Sequence, residues 1–77
     1  GVRIHGYSLV EDAILFDGVQ VGRRARIRRA IVDKGVRVPP DFSVGWDPAL
    51  DRERGFTVTD DGVTVVSKDE DLERFAT

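Results

Sequence analysis

A repeat of 17 residues runs through the first half of the chain and constrains the fold more than any other feature of the sequence. Each copy opens with glycine and valine, at Gly1, Gly18 and Gly35. Aliphatic anchors follow at intervals of six, six and five residues, at Leu15, Val21, Ile27, Val32, Val38 and Val44. Neither a helix of about 3.6 residues per turn nor a simple alternating hairpin keeps apolar residues in phase at this spacing.

A triangular solenoid fits the spacing, because each interval supplies one short strand and one corner, and three intervals close one coil. Residues one repeat apart then stack about 4.8 Å from each other in parallel ladders, with the aliphatic anchors inside. We therefore predict an all-β fold in which residues 1–46 form the coils of a parallel β-helix. An ordinary β-sandwich with coincidental repetition is the alternative.

The second half of the chain is expected to close the stack. Residues 47–55 are predicted to form a capping crossover, and residues 56–66 a β-hairpin, because β-branched residues alternate on both sides of Asp61 and Gly62. Phe42 and Trp46 are expected to cap the core of the prism. Residues 67–77 are predicted to be a frayed tail.

Charge is unevenly distributed, although the net charge of the chain is only −2. Residues 23–37 carry seven basic residues and one acidic residue. Four of these bases are expected to stack one coil from an acid: Arg28 on Glu11, Arg29 on Asp12, Lys34 on Asp17, and Arg24 on Asp41. Each such pair contributes at most about 1 kcal/mol, so much of the basic block is explained as a solvated charge ladder. Arg23, Arg26 and Arg37 lack an acid of this kind and, with Lys34, are candidates for binding an anion, because guanidinium groups match phosphate oxygens.

Composition excludes several kinds of site. The chain has no cysteine and one histidine, which excludes disulfides, thiolate zinc sites and multi-histidine metal sites. We find no catalytic constellation and no apolar run near the roughly 20 residues of a membrane span, and the near-neutral charge argues against a nucleic-acid partner.

The beginning of the chain carries an expectation of its own. Because the chain opens with Gly1 and has no methionine, we expect it to be part of a longer protein. Val2, Ile4 and Val10 of the first coil are then expected to lie at an uncapped end of the stack, with open ladder groups. We expect another domain or a second copy of the chain to cover that end.

Three stretches resemble the C-terminal domain of bacterial glucose-1-phosphate adenylyltransferases (ADP-glucose pyrophosphorylases). They are residues 2–13, the run VQVGRRARIRRAIVDKGVRVPP at 19–40, and the closing segment that includes GWDP at 45–48 and DRERGFTVT at 51–59. The resemblance covers about residues 2–66 and includes features outside the repeat, such as the hairpin.

The resemblance implies a left-handed parallel β-helix and a regulatory and oligomerisation role. Members of that family are cytoplasmic nucleotidyltransferases that make ADP-glucose and pyrophosphate from ATP and glucose 1-phosphate for glycogen synthesis. Their catalytic residues and Mg²⁺ lie in an N-terminal domain that this chain lacks, so the chain alone is expected to be inactive and to hold no cofactor, metal or catalytic residue. Its expected partners are that catalytic domain, like subunits in a homotetramer, and phosphorylated small-molecule effectors, with no nucleic acid or membrane.

The resemblance also implies two positions of an effector site. A basic residue follows an aspartate after the arginine run, here Lys34 after Asp33, and another follows the hairpin, here Lys68 after Ser67. Many family members carry arginine at both places; lysine keeps the charge but loses the bidentate fork. Lys34, Arg37 and Lys68 are therefore the predicted phosphate-binding residues.

His5 supports an alternative function. It lies at a predicted corner, where Gly22 and Pro39 occupy the same position in the next two coils. Small hexapeptide-repeat acyltransferases have the same kind of solenoid and commonly use a histidine at a subunit interface. A small acyltransferase of this type, or a trimeric scaffold, is therefore the alternative.

Overall fold

The fold consists of short strands wound around three faces, in a computed structural model that describes residues 1–68 and 70–75. In these residues the strands are β1 (Arg3–Ile4), β2 (Leu9–Glu11), β3 (Ile14–Leu15), β4 (Gln20–Val21), β5 (Arg26–Arg28), β6 (Ala30–Val32), β7 (Arg37–Val38), β8 (Ser43–Val44), β9 (Thr57–Val58) and β10 (Thr64–Val66). Helix α1 (Pro48–Glu53) lies between β8 and β9, and a 3₁₀ helix (Leu72–Phe75) follows β10.

Three sheets form the faces of the prism. Face A has the strand order β1-β4-β7, face B the order β2-β5-β8, and face C the order β3-β6-β10-β9. Every pair is parallel except β9 with β10, which form the C-terminal hairpin. The all-β architecture of parallel coils that the repeat predicts is confirmed.

Strand register follows the repeat of the sequence. On face A, Arg3 pairs with Gln20 and Gln20 with Arg37. On face B, Val10 pairs with Ile27, which pairs with Val44. All of these partners are 17 residues apart, so the predicted stacking of neighbouring coils is confirmed.

The aliphatic anchors of the second and third coils fill the prism. Val21, Ile27, Val32, Val38 and Val44 are buried almost completely. A fully buried Val or Ile side chain contributes about 1.5–3 kcal/mol relative to an exposed one, so these rows supply the main driving force for stacking. The first coil lies at an open end, where Ile4 is 53% exposed and Val2 is also exposed.

Left-handed backbone conformations mark the corners and also keep the period of the repeat. Tyr7, Arg24 and Asp41 form one such column, with φ between 61° and 64°. Gly18 and Gly35 form another, in which a Cβ atom on Gly18 would lie 3.5 Å from the Gly35 backbone. L-residues pay about 1–2 kcal/mol for this conformation, which is the cost of turning the chain within one or two residues.

The capping segment is an insertion into the third coil. Thr64 of β10 pairs with Ala30 of β6, which lies 34 residues earlier, or two repeats. Strand β10 therefore lies where continuation of the repeat would place residues near 47. Helix α1 and strand β9 form the insertion between β8 and β10. Asp47 caps α1, where its carboxylate accepts from the backbone N–H groups of Ala49 and Leu50.

The end of the chain differs from the frayed tail expected for 67–77. Leu72 is only 1% exposed and follows Val38 by 34 residues, which places it where a fourth coil would carry its anchor beneath β7. The ring of Phe75 lies 6.3 Å from that of Phe42 and 5.7 Å from that of Phe56. Burial of these apolar side chains explains the difference, because it holds the segment on the prism. Residues 69, 76 and 77 of the predicted tail lie outside the described residues.

The two aromatic residues expected to cap the core have different positions. Phe42 is buried in the core, as predicted. The prediction for Trp46 is wrong, because its side chain is 36% exposed on the outside of the prism. The guanidinium groups of Arg26 and Arg28 lie over the indole, 5.3 and 5.1 Å from the ring centroid, and this cation–π contact holds Trp46 against face B.

Candidate anion-binding site

The basic block is partly neutralised within the fold. Arg24 donates from Nε to Asp41 Oδ1 at 2.8 Å and from Nη2 to Asp41 Oδ2 at 3.2 Å, across one coil step as predicted. The hydrogen bond raises the pKa of Arg24 and lowers the pKa of Asp41. Because both side chains are exposed, solvent screens most of this interaction.

Two of the other three predicted bases contact different groups in the structure. Arg28 is in register with Glu11, but its guanidinium lies over Trp46. Arg29 donates to the backbone oxygen of Asp61 at 2.6 Å. In the third pair, Asp17 Oδ1 lies 3.4 Å from the N-terminal nitrogen of Gly1 instead of pairing with Lys34. Of the four predicted pairs, only Arg24 with Asp41 is an ion pair within residues 1–68 and 70–75.

Lys34 and Lys68 lie at the same corner of successive coils. Val32 pairs with Val66, and the N–H of Asp33 donates to the carbonyl of Val66 at 2.9 Å, so the ladder continues into the corner. Both lysines follow that ladder by two residues and are exposed. The corner therefore presents two ammonium groups on neighbouring coils.

Arg37 lies beyond this corner, at the start of β7 on face A. Its side chain is exposed, and it lines a depression of about 470 Å³ together with Gly35, Glu70, Asp71 and Glu73. The acidic residues of the last segment thus lie beside the basic residue nearest the corner. The sequence shows that this segment is acidic, but not that it folds back against face A.

His5 lies on face A, at the corner position predicted for it. Its backbone N–H donates to Val21, and its imidazole lines a separate cleft with Gln20, Arg23 and Arg37. In the described part of the chain, no side chain forms a hydrogen bond or ion pair with this imidazole.

Comparison with known proteins agrees with the coil geometry. The sequence model of the GlmU-like C-terminal hexapeptide family matches residues 1–66. The chain belongs to this family. Its members are built from hexapeptide repeats, which accounts for the intervals between the anchors and for the three parallel faces.

Relatives with curated descriptions are glucose-1-phosphate adenylyltransferases. The protein of Rhodopirellula baltica is 60% identical over 70 residues, which cover 91% of this chain and 16% of the relative. Those of Deinococcus deserti and Bifidobacterium adolescentis are 55% and 57% identical over 67 residues, or 87% of this chain and 16% of each relative. The chain of this hexapeptide-family member therefore spans about a sixth of the length of these enzymes, and its predicted resemblance to their C-terminal domain is confirmed.

The residues described by the structure include no helix that is long and apolar enough to cross a membrane. The one α-helix among them, α1, has six residues.

Proposed function

We propose that this chain is the regulatory and oligomerisation domain of a glucose-1-phosphate adenylyltransferase. The whole enzyme makes ADP-glucose and pyrophosphate from ATP and glucose 1-phosphate for glycogen synthesis, with Mg²⁺ bound in its catalytic domain. The observation that carries the proposal is the 60% identity over 91% of this chain to one such enzyme. Because the chain corresponds to 16% of that enzyme, the proposal assigns catalysis to the remainder, and the chain alone has no turnover.

Phosphorylated effectors bind, in this proposal, at the corner formed by Lys34 and Lys68. Two exposed ammonium groups on neighbouring coils attract a phosphate dianion, and Arg37 on face A adds a guanidinium that matches phosphate oxygens. The proposal also includes a left-handed winding of the coils, which the resemblance to this enzyme family implies. Regulation then depends on a site at the end of the prism opposite to the exposed first coil.

The exposed first coil is the proposed contact with the catalytic domain or with like subunits of a cytoplasmic homotetramer. Val2, Ile4, Ile14 and Phe16 are all exposed there. Strands β1, β2 and β3 each lie at the edge of their sheet, with ladder groups unpaired on one side. Covering this end buries apolar surface and completes the ladders.

Amide chemical shifts of the isotope-labelled chain test the effector site. Titration with fructose bisphosphate and, separately, with AMP is expected to shift the amides around Lys34, Arg37 and Lys68. The double variant Lys34→Gln/Lys68→Gln weakens binding, whereas Arg52→Gln, at an exposed position of α1, leaves it unchanged. Shifts scattered over other faces, or equal binding by the double variant, would contradict the proposed site. Detectable ADP-glucose synthesis by the chain alone would contradict its assignment as a non-catalytic domain.

A further inference from the structure

A second cleft on face A, separate from the Lys34–Lys68 corner, has the composition of a small-molecule site. Its volume is about 490 Å³, within the range of ligand pockets. The residues that line the face-A cleft include Gly22, Arg23, Arg37, Val38, Pro39 and Glu73. Val38 and Pro39 are buried and give it an apolar floor, while basic and amide side chains stand around them.

Gly22 leaves this corner of the prism without a side chain. Its N–H donates to the carbonyl of Val38 at 2.8 Å. A Cβ atom on Gly22 would lie 2.6 Å from the nitrogen of Pro40, so the two coils approach more closely than any larger residue allows. The close approach fixes the backbone of Arg23 beside that of Asp41, whose N–H donates to the Arg23 carbonyl at 3.0 Å.

Two guanidinium groups in the cleft are available to a ligand. The other four arginines of the basic block are engaged: Arg24 with Asp41, Arg26 and Arg28 with Trp46, and Arg29 with Asp61. The side chains of Arg23 and Arg37 have no hydrogen-bond or ion-pair partner in the part of the chain that the structure describes. Unpaired guanidinium groups beside an apolar floor favour an oxyanion with a small organic body.

Glu73 adds a hydrogen-bond acceptor to the same cleft. The 3₁₀ helix carries it there, because the neighbouring Leu72 is buried under β7. A carboxylate repels a ligand that is anionic throughout, and it attracts a hydroxyl or ammonium group. The cleft thus combines guanidinium donors for an anion with a carboxylate that accepts from a hydroxyl or ammonium group.

We propose that the face-A cleft binds a small organic oxyanion that also carries a hydroxyl or ammonium group. The oxyanion, a phosphate or a carboxylate, lies against Arg23 and Arg37, and the donor group faces Glu73. This site shares Arg37 with the proposed effector site but not Lys34 or Lys68, so Arg23 and Glu73 distinguish the two.

Two ligands that differ by one ammonium group test the proposal on the isotope-labelled chain. Phosphoethanolamine and ethyl phosphate are each expected to shift the amides of Gly22, Arg23 and Val38. Phosphoethanolamine binds about fivefold more tightly, as expected for one solvent-screened ion pair. Glu73→Gln removes this preference, and Arg23→Gln weakens both ligands about tenfold, as expected for the loss of a hydrogen bond to a charged group.

Matched controls separate the cleft from the corner and from unfolding. Lys34→Gln/Lys68→Gln leaves the cleft shifts unchanged even where it abolishes effector binding, and Arg52→Gln changes neither. Arg23→Lys, which keeps the charge and loses the fork, gives an intermediate affinity. Repeating the titration with 3-aminopropanoate shows whether the oxyanion is a carboxylate or a phosphate. Equal affinity of the wild-type chain for phosphoethanolamine and ethyl phosphate, or unchanged binding by Arg23→Gln, would overturn the proposal.

Discussion

Thr64 donates from Oγ1 to Oδ2 of Asp51 at 2.7 Å, and this buried hydrogen bond ties the last strand of face C to the capping helix. The same carboxylate oxygen accepts from the backbone N–H of Gly45 at 2.9 Å. One buried acid therefore joins the turn after β8, helix α1 and strand β10. These contacts fix the position of the inserted segment, α1 and β9, and so keep Lys68 next to Lys34.

Loss of this link is expected to destabilise the chain. Asp51→Ala leaves the buried Thr64 hydroxyl without a partner, at a cost of about 1–3 kcal/mol. It also removes the acceptor of the part-buried Gly45 N–H, which costs less because water can reach that group. Urea unfolding followed by circular dichroism measures the change in the free energy of unfolding. Asp60→Asn, an exposed acid in the hairpin turn, is the control and is expected to change it by less than about 0.5 kcal/mol. Equal stability of both variants would show that the link has no structural role.

Two glycines with similar backbone angles are expected to respond differently to substitution. Gly45 and Gly55 have φ of 84° and 92°. A Cβ atom on Gly45 would lie 1.6 Å from the carbonyl oxygen of Arg28, whereas nothing lies within 4 Å of one on Gly55. Gly55→Ala therefore costs only the backbone strain, about 1–2 kcal/mol.

Gly45→Ala has the same backbone strain and, in addition, a clash with the backbone of Arg28. Relieving this clash requires the third coil to move away from the second. We expect it to be about 2 kcal/mol or more worse than Gly55→Ala. Thermal unfolding of the two variants side by side measures the difference. Similar melting temperatures would contradict the close packing of Gly45 on β5.

The segment after β10 is expected to contribute to stability. Leu72 is 1% exposed, and Leu50 on α1 is 39% exposed. Leu72→Ala is expected to cost about 2–5 kcal/mol, because it leaves a cavity under β7. Leu50→Ala, the same change at a position that is more than a third exposed, is expected to cost less. If chemical denaturation gives equal losses, the 3₁₀ helix does not dock as described.

Acid titration is expected to reveal the pair formed by Arg24 and Asp41. The hydrogen bond from Arg24 lowers the pKa of Asp41 in the folded chain. The pair therefore stabilises the fold above the pKa that Asp41 has in the unfolded chain, and the contribution is lost as the pH falls through the depressed folded value. NMR titration of the Asp41 carboxyl carbon measures this pKa, and Arg24→Gln should return it to its usual range. An unchanged midpoint in that variant would exclude the pair in solution.

The repeat predicts the coils because each copy of it places apolar anchors at the same positions of a coil. An anchor such as Val21 is apolar, β-branched and one repeat from Val38, so the pattern and the physics of burial agree. Between residues 47 and 63 nothing keeps the period, and the two-repeat offset of β10 depends on tertiary contacts such as that of Asp51 with Thr64.

The residues of the candidate sites also divide into those whose positions follow from the repeat and those whose positions depend on tertiary contacts. The register predicts the positions of Arg24 and Asp41, and it continues the ladder to Lys34. Leu72 has only polar residues within two positions on either side, and its offset of two repeats from Val38 is recognisable only once the insertion before β10 is known. The sequence near it therefore does not predict its burial or the approach of Glu73 to the basic face. Trp46 lies outside because two arginines stack on it, which the spacing of apolar residues does not show.

Disulfide trapping tests most directly the stacking that places Lys68 beside Lys34. The 77 residues include no cysteine, so only introduced cysteines can react. Ile31 and Val65 are register partners on neighbouring strands of face C, and Ile14 pairs with Ile31 on its other side. Parallel neighbours are about 4.8 Å apart, within the Cα separation of a disulfide, whereas strands two steps apart are not. We expect rapid, quantitative oxidation of Ile31→Cys/Val65→Cys and no intramolecular disulfide in Ile14→Cys/Val65→Cys. An intramolecular disulfide in the second variant, or its absence in the first, would contradict the coil order.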